Sequence, residues 1–146
     1  MMAAAAEVCW DVAGPRLLSE SEVRAAVAMA LAHGRRPTLS VSVVFVSDPR
    51  LAELHERYLG DPTPTDVMAF DLGAAGLGPA GEVYVSVDRA RAVARARDLA
   101  PDRELALYVV HGCLHLCGYD DHRPRDRARM RAAERVVLAR LGYAGE

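Results

Sequence analysis

The segment from Thr38 to Val46 constrains the fold most, because it is rich in β-branched residues and alternates as a half-buried strand does. One face of the alternation comprises Leu39, Val41, Val43 and Phe45, and the other comprises Thr38, Ser40, Ser42 and Val44. A strand with one apolar face must be covered by another layer of structure. We therefore expect a sheet packed against other elements.

Helical patterns and further strands surround this segment. Helices are predicted over Glu22–Ala32, from Asp48 to Gly60, from Asp88 (as the capping residue) to about Leu99, over Glu104–Leu116 with its start at Pro101, and over Asp126–Leu141. Further strands are predicted over Val8–Val12, Thr65–Phe70 and Glu82–Val87, the last two as a hairpin-like pair. The pattern predicts an α/β (α+β) fold, with a small mixed β-sheet packed with about five helices in one compact domain over residues 1–146.

Composition limits the class of protein. A hydrophobic fraction of 51% is typical of a globular domain, and no apolar run approaches the ~20 residues that cross a bilayer. The three cysteines form no disulfide framework, so we expect a reducing, cytoplasmic location. A net charge of −2 gives no global indication of nucleic-acid binding, so any basic surface must be local.

Two histidines on one predicted helix are candidate metal ligands. His111 and His115 are four residues apart, which places them about 40° apart around the helix axis. Neutral imidazoles so placed can bind one Zn, Fe, Ni or Cu ion. Taken alone, such a pair more often reflects packing than ligation.

The residues that follow favour ligation. Gly118 ends the helix, and Asp121 and His122 come directly after the turn. Either side chain could complete a set of three ligands and leave a fourth zinc position open for water, as in catalytic sites. Cys113 and Cys117 lie on another face of the helix and are interpreted as core. The two other histidines outside this segment, His33 and His55, are interpreted as helix-surface residues.

Three motifs resemble those of one family. They are His111-Gly-Cys-Leu-His115-Leu-Cys-Gly118-Tyr-Asp-Asp121-His122, Thr65-Asp66-Val67-Met68-Ala69-Phe70 and Gly81-Glu82-Val83. The first is similar to the signature His-Gly-x-Leu-His-Leu-x-Gly-Tyr-Asp-His of the YbeY family of bacterial endoribonucleases. Their order and spacing agree with that family along roughly the whole chain.

The resemblance implies a zinc-dependent, single-strand-specific endoribonuclease that acts in 3′-end maturation of small-subunit (16S) ribosomal RNA and in ribosome quality control. It implies one Zn²⁺ ion in a cleft at the histidine helix, ribosomal RNA as partner, and possible contacts with small-subunit ribosomal proteins. The implied metal ligands are His111 and His115, with His122 or Asp121 as the third. The implied catalytic residues are His111, His115 and Arg57.

Two departures from the family pattern bear on these roles. The signature places its third histidine at the position of Asp121, whereas the histidine here comes one residue later. Both side chains are good zinc ligands, and His122 is our preferred one. The second departure is Leu59, which stands where many members carry an arginine important for ribonuclease activity; Arg57 is the nearest arginine.

Other roles and functions stay open. Arg57, Arg89 and the arginine-rich segment after His122 are candidate phosphate contacts, although that segment could equally be a solvated helix face. Asp66 and Asp120 could each orient a histidine or cap a turn. A ribosome-assembly factor that binds RNA or protein without cutting is an alternative. A zinc peptidase is disfavoured, because Gly112 occupies the position where such helices carry a catalytic glutamate.

Overall fold

The strands of the protein form one mixed sheet. The computed structural model describes residues 6–61, 65–73 and 78–143. The strands among them are β1 (Glu7–Trp10), β2 (Val41–Val46), β3 (Val67–Asp71) and β4 (Gly81–Ser86). Their order across the sheet is β1-β2-β4-β3; β1, β2 and β4 are parallel, and β3 runs antiparallel to β4 at one edge.

Helices cover both faces of this sheet. They are α1 (Glu20–His33), α2 (Asp48–Leu59), α3 (Val87–Arg97), α4 (Pro101–Leu116) and α5 (Pro124–Arg140). The larger core joins one face of the sheet to α1, α3, α4 and α5, and a smaller core joins the other face to α2. The predicted α/β fold, with a small mixed sheet and about five helices, is therefore confirmed for the described residues. No helix in these residues combines the length and the hydropathy needed to cross a bilayer.

Strand β2 is more deeply buried than its alternation predicts. Val43 and Phe45 face the larger core, as expected, but Val44 and Val46 pack in the smaller core under α2. Even Ser42 is buried. The strand has neighbours on both edges and helices on both faces, a position that an isolated sequence pattern cannot reveal.

The start of α3 differs from the prediction. Ser86, not Asp88, caps this helix, and its Oγ accepts a hydrogen bond from the backbone N–H of Arg89 at 3.1 Å. The Asp88 carboxylate instead accepts from the backbone N–H of Asp48, at 2.8 Å, at the start of α2. The Ser86 hydroxyl also donates to the Asp48 carboxylate at 2.7 Å, so these contacts hold the first turns of α2 and α3 together.

The same junction positions the chain that enters β3. The backbone N–H of Ser86 donates to the carbonyl oxygen of Asp66 at 3.0 Å. Since Ser86 is fully buried, this bond fixes the backbone of Asp66 at the end of the sheet. Asp66 thereby lies at the edge to which the histidine helix presents its polar side.

Helix α4 packs very closely against the sheet. A Cβ atom added at Gly112 would lie 2.5 Å from a Val83 side-chain carbon and 3.1 Å from one of Val67. Such distances are shorter than van der Waals contact, so only glycine fits without repacking. This close approach sets the depth of α4 and the height of its histidines above the sheet.

Candidate metal centre

Helix α4 has one partly exposed polar edge, which carries the two histidines. Around them the helix is almost entirely buried, and the side chains of His111 and His115 are 22% and 29% exposed. Their Nε2 atoms lie 3.0 Å apart. The one-turn spacing therefore brings two ring nitrogens to one point at the surface of the core.

A tight turn returns the chain to this point after α4. Gly118 has a φ of +97°, a left-handed conformation that glycine adopts at little cost. The Asp120 carboxylate then accepts hydrogen bonds from the backbone N–H groups of Asp121, at 2.7 Å, and His122, at 3.3 Å. Of its two predicted roles, Asp120 thus has that of capping the turn.

The turn presents Asp121, not His122, to the histidine pair. Asp121 Oδ2 lies 3.3 Å from His111 Nε2 and 3.5 Å from His115 Nε2. The His122 side chain is 86% exposed and reaches only toward Asp120, at 3.5 Å. The preferred residue, His122, is therefore not one of the three donors that converge, because its exposed ring lies beside Asp120. It belongs instead to a more exposed donor group formed by residues 120–122.

The spacing of the three donors fits one zinc ion. His Nε2 and carboxylate oxygen atoms bound tetrahedrally at about 2.0–2.1 Å from zinc lie about 3.3 Å from one another. The three observed distances are 3.0, 3.3 and 3.5 Å. Two imidazoles and one carboxylate, with a fourth direction open, are also a ligand set typical of catalytic zinc.

Glu134 fixes the orientation of the His111 ring through its Nδ1 atom, the nitrogen that does not face His115. The His111 Nδ1 atom lies 2.5 Å from Glu134 Oε2, and the Glu134 side chain is only 12% exposed. Burial opposes protonation of His111, but the hydrogen bond and the charge of Glu134, with the charges of Asp66 and Asp121, raise the pKa of His111 above its ordinary value. A carboxylate on Nδ1 leaves Nε2 for a metal, as in the carboxylate–histidine–zinc arrangement.

Glu134 is not among the site residues predicted from the sequence. One signal was present: Glu134 lies four residues after Met130 and three before Val137, both on the buried stripe of α5. A lone carboxylate on an apolar helix face requires a buried partner. That partner is 23 residues away in the chain, so sequence spacing alone cannot name it.

The cysteines of α4 are remote from the histidine pair. Cys113 is completely buried, and burial raises the pKa of its thiol well above the usual range. Cys117 packs against Gly34 at the end of α1. Neither belongs to the His111–His115–Asp121 group, which agrees with their interpretation as core residues.

Two cavities meet at this group from opposite sides. We call the first the helix-side cavity; it has a volume of about 310 Å³ between α3, α4 and α5, and its lining includes Arg97, Glu104, Tyr108, Arg127, Arg131 and Glu134. We call the second the strand-side cleft; it has a volume of about 530 Å³ beside β3 and the end of α2, and its lining includes His55, Leu59, Met68, Phe70, Asp71 and His115. Both cavities are also lined by Asp66, His111 and Asp121, so these three residues form the wall that they share.

Helix α2 reaches the site with His55 and Leu59, and not with the predicted Arg57. His55, interpreted as a helix-surface residue, lines the strand-side cleft together with Leu59. Arg57 lies about 200° around the helix from each of them, is exposed, and is not part of the lining of either cavity. The structure therefore does not bring Arg57 to the metal ligands.

The other candidate phosphate contacts are divided. Arg89 lies 3.4 Å from the Asp48 carboxylate, in the junction of α2 and α3. From the arginine-rich segment after His122, Arg127 and Arg131 line the helix-side cavity. The cation-rich surface near the site thus belongs to α5.

The fold and the site together define an α/β protein with a candidate mononuclear metal centre of two histidines and one aspartate. The sequence profile described as Endoribonuclease YbeY matches residues 16–142. The chain belongs to this endoribonuclease family, and membership supports a role as a nuclease with an RNA substrate.

Individual relatives agree with this assignment. The chain is 35% identical over 111 residues to the endoribonuclease YbeY of Phocaeicola vulgatus, a match that covers 76% of this chain and 79% of the relative. It is 38% identical over 118 residues to that of Roseiflexus sp. (strain RS-1), with 74% of each chain covered. A Thermotoga maritima protein of known solution structure has a TM-score of 0.66 and 24% identity, with 93% of this chain and 88% of that chain covered, which shows likeness of fold.

Proposed function

We propose that this chain, as one hydrolase domain, is a zinc-dependent endoribonuclease specific for single strands. We further propose that it acts in the cytoplasm on the 3′ end of small-subunit (16S) ribosomal RNA and in ribosome quality control, in contact with small-subunit ribosomal proteins. The observation that carries the nuclease proposal is the convergence of His111, His115 and Asp121, with all three donor pairs within 3.5 Å.

The ligand residues have separate tasks in this proposal. His111, His115 and Asp121 would hold the metal, and Glu134 would keep His111 in the tautomer that offers Nε2. Zinc bound there would lower the pKa of a coordinated water toward neutrality and polarise a phosphoryl oxygen. The buried surroundings of α4 exclude bulk water from one side of the site, which strengthens electrostatic interactions there.

Asp66 is the proposed proton acceptor. Asp66 lines both cavities and its charge acts on His111, so we place its carboxylate beside the space in which a substrate phosphate and a water would meet. Asp66 is exposed, which leaves its carboxylate open to that space. A carboxylate within reach of the attacking water can accept its proton in the transition state, which contributes roughly 10²–10⁴-fold to the rate.

Cleavage of a ribosomal RNA precursor by the zinc-loaded protein tests the proposal. His115→Ala should lose both bound zinc and cleavage, because two donors remain where three converge. Asp66→Asn should keep zinc and RNA binding and lower the cleavage rate by about 10²–10⁴-fold. If the zinc-loaded wild-type chain binds the RNA and yields no metal-dependent products, the nuclease proposal fails.

That last outcome would favour the non-catalytic assembly factor. The observation in favour of this alternative is the strand-side cleft, where the exposed Leu59 side chain, at 64%, faces the site in place of a cation. A zinc peptidase has less support. A Cβ atom added at Gly112 would lie 2.5 Å from a Val83 side-chain carbon. A glutamate at this position would therefore point into the sheet and away from the metal ligands.

A further inference from the structure

The arginines that line the two cavities at the metal ligands all lie on the helix side. Arg36 borders the strand-side cleft, but it is already engaged with the Asp71 carboxylate at 3.7 Å and with the carbonyl oxygen of Leu116 at 2.6 Å. Among the described residues, no arginine lines the strand-side cleft, whereas its lining includes three aspartates, Asp66, Asp71 and Asp121. The chain has no lysine, and the residues outside the described ranges include no arginine. The helix-side cavity, in contrast, is lined by Arg97, Arg127 and Arg131.

The arginines continue outward from the helix-side cavity. An adjoining cavity of about 290 Å³ shares Arg97 and Arg131 with it and adds Arg103 and Arg135. All five arginines come from the end of α3, the start of α4 and the outer side of α5. They therefore form a track of cations that begins at the metal ligands and leads away from the sheet.

Two of these arginines are available for a ligand. Arg97 and Arg131 are exposed, and neither makes an ion pair or side-chain hydrogen bond with another residue in the described ranges. Arg127 already donates to the carbonyl oxygen of His122 at 2.8 Å. Guanidinium groups without a protein partner keep their full set of donors for phosphate oxygens.

The acidic residues of the helix-side cavity do not cancel this charge at its mouth. Glu134 is bound to His111, Asp121 is turned toward the histidine pair, and Glu104 is only 3% exposed. Asp66 is the one further carboxylate of the lining among the described residues, and it lies in the shared wall beside the ligands. Three of the carboxylates thus lie at or beside the metal ligands, where a divalent cation would offset them. The fourth, Glu104, is buried, and the exposed charged groups farther out in the lining are arginines.

We propose that the phosphate backbone of single-stranded RNA reaches the metal centre through the helix-side cavity, held by Arg97 and Arg131, and not through the strand-side cleft. The inference rests on the proposed ribonuclease function and assigns its substrate a direction of approach. A backbone that follows the track places successive phosphates against arginines and one phosphate at His111. The strand-side cleft, which has apolar residues and no arginine in its described lining, is left to uncharged parts of the RNA.

Binding of a cleavage-resistant probe tests this path. The probe is a single-stranded 2′-O-methyl phosphorothioate oligonucleotide, and its affinity for the zinc-loaded chain is measured by fluorescence anisotropy over a range of salt concentrations. The variant Arg97→Ala/Arg131→Ala is compared with Arg95→Ala/Arg140→Ala. Both remove one exposed arginine from α3 and one from α5, but Arg95 and Arg140 line neither cavity.

The first variant should bind on the order of tenfold more weakly than wild type at low salt. The slope of log affinity against log salt should become shallower by about 1.4, at about 0.7 for each phosphate that an arginine no longer neutralises. The control variant should keep the wild-type slope and a similar affinity. Both variants should retain zinc, because no ligand is changed.

Equally weakened binding in the two variants, unchanged binding in the first, or no binding of the probe by the wild-type chain would overturn the inference. Each of these results is compatible with a protein that still cleaves RNA when zinc is bound. The proposed function fails separately, when the zinc-loaded wild-type chain does not cut ribosomal RNA.

Discussion

The two cavities that meet at His111 differ in the elements that build them and in the arginines that line them. The strand-side cleft is built from β3 and the end of α2, and apolar side chains such as Leu59 and Phe70 line it beside aspartates. The helix-side cavity is built from three helices and carries the arginines. Sites that cleave a phosphodiester backbone must bind charge and also accommodate bases. The difference indicates that this protein separates the two tasks on opposite sides of one metal centre.

The largest expected effect concerns the shared wall itself. If Asp121 is a metal ligand, Asp121→Ala should weaken zinc binding by more than about 100-fold, beyond the range typical of residues that only support a ligand. His122→Ala should leave zinc affinity within about twofold of wild type, because that side chain is directed to solvent. Competition with a chromogenic chelator measures both affinities.

Comparing these two adjacent residues shows whether the metal lies at the wall that the two cavities share. The reverse pattern, with zinc binding abolished in His122→Ala and kept in Asp121→Ala, would mean that the turn is arranged differently. The metal would then lie away from the wall between the cavities, and the division of tasks would have no common centre.

The second largest effect is expected for Glu134, the residue of the helix-side cavity that contacts His111. Glu134→Gln keeps the shape of the side chain but removes the charge that holds His111 at Nδ1. Zinc affinity should fall by about 10–100-fold, the usual cost of removing such a supporting carboxylate. Isothermal titration with zinc measures the change, and Glu56→Gln, an exposed glutamate on α2, serves as the control.

An unchanged zinc affinity in Glu134→Gln would contradict this role. It would show that the packing of α4 alone orients His111. The carboxylate would then count only among the charges that line the helix-side cavity.

The parts of the protein that depend on neighbouring residues could be predicted from sequence. The glycine that ends α4 and the convergence of His111 and His115 both depend on spacings of a few residues. The apolar stripes likewise predicted the mixed α/β fold. Local geometry suffices for these features, because backbone hydrogen bonds and helix periodicity act over one or two turns.

The remaining features depend on tertiary packing. The bond between Glu134 and His111 joins two helices, and the place of His55 in the strand-side cleft depends on how α2 lies across the sheet. The choice between Asp121 and His122 depends on the dihedral angles of one turn and on the hydrogen bonds by which Asp120 holds that turn. A motif names the residue types in such a turn but does not fix which one faces the metal.

The smallest expected effect tests the strand-side cleft directly. Leu59→Arg places a guanidinium in the lining of this cleft, at the position that is now 64% exposed leucine. If the RNA backbone approaches from the helix side, the new charge meets no phosphate. The affinity for the cleavage-resistant oligonucleotide should then rise less than about threefold, and the salt slope should change by less than about 0.7, the value of one neutralised phosphate.

The control for this substitution is Val136→Arg, which adds the same charge at a partly exposed site on α5 outside both cavities and so corrects for the general attraction of added positive charge. A rise in affinity of about tenfold or more that is specific to Leu59→Arg, with a salt slope steeper by about 0.7, would mean that the new guanidinium neutralises a phosphate. Phosphates would then lie in the strand-side cleft, and the assignment of the two cavities would be reversed.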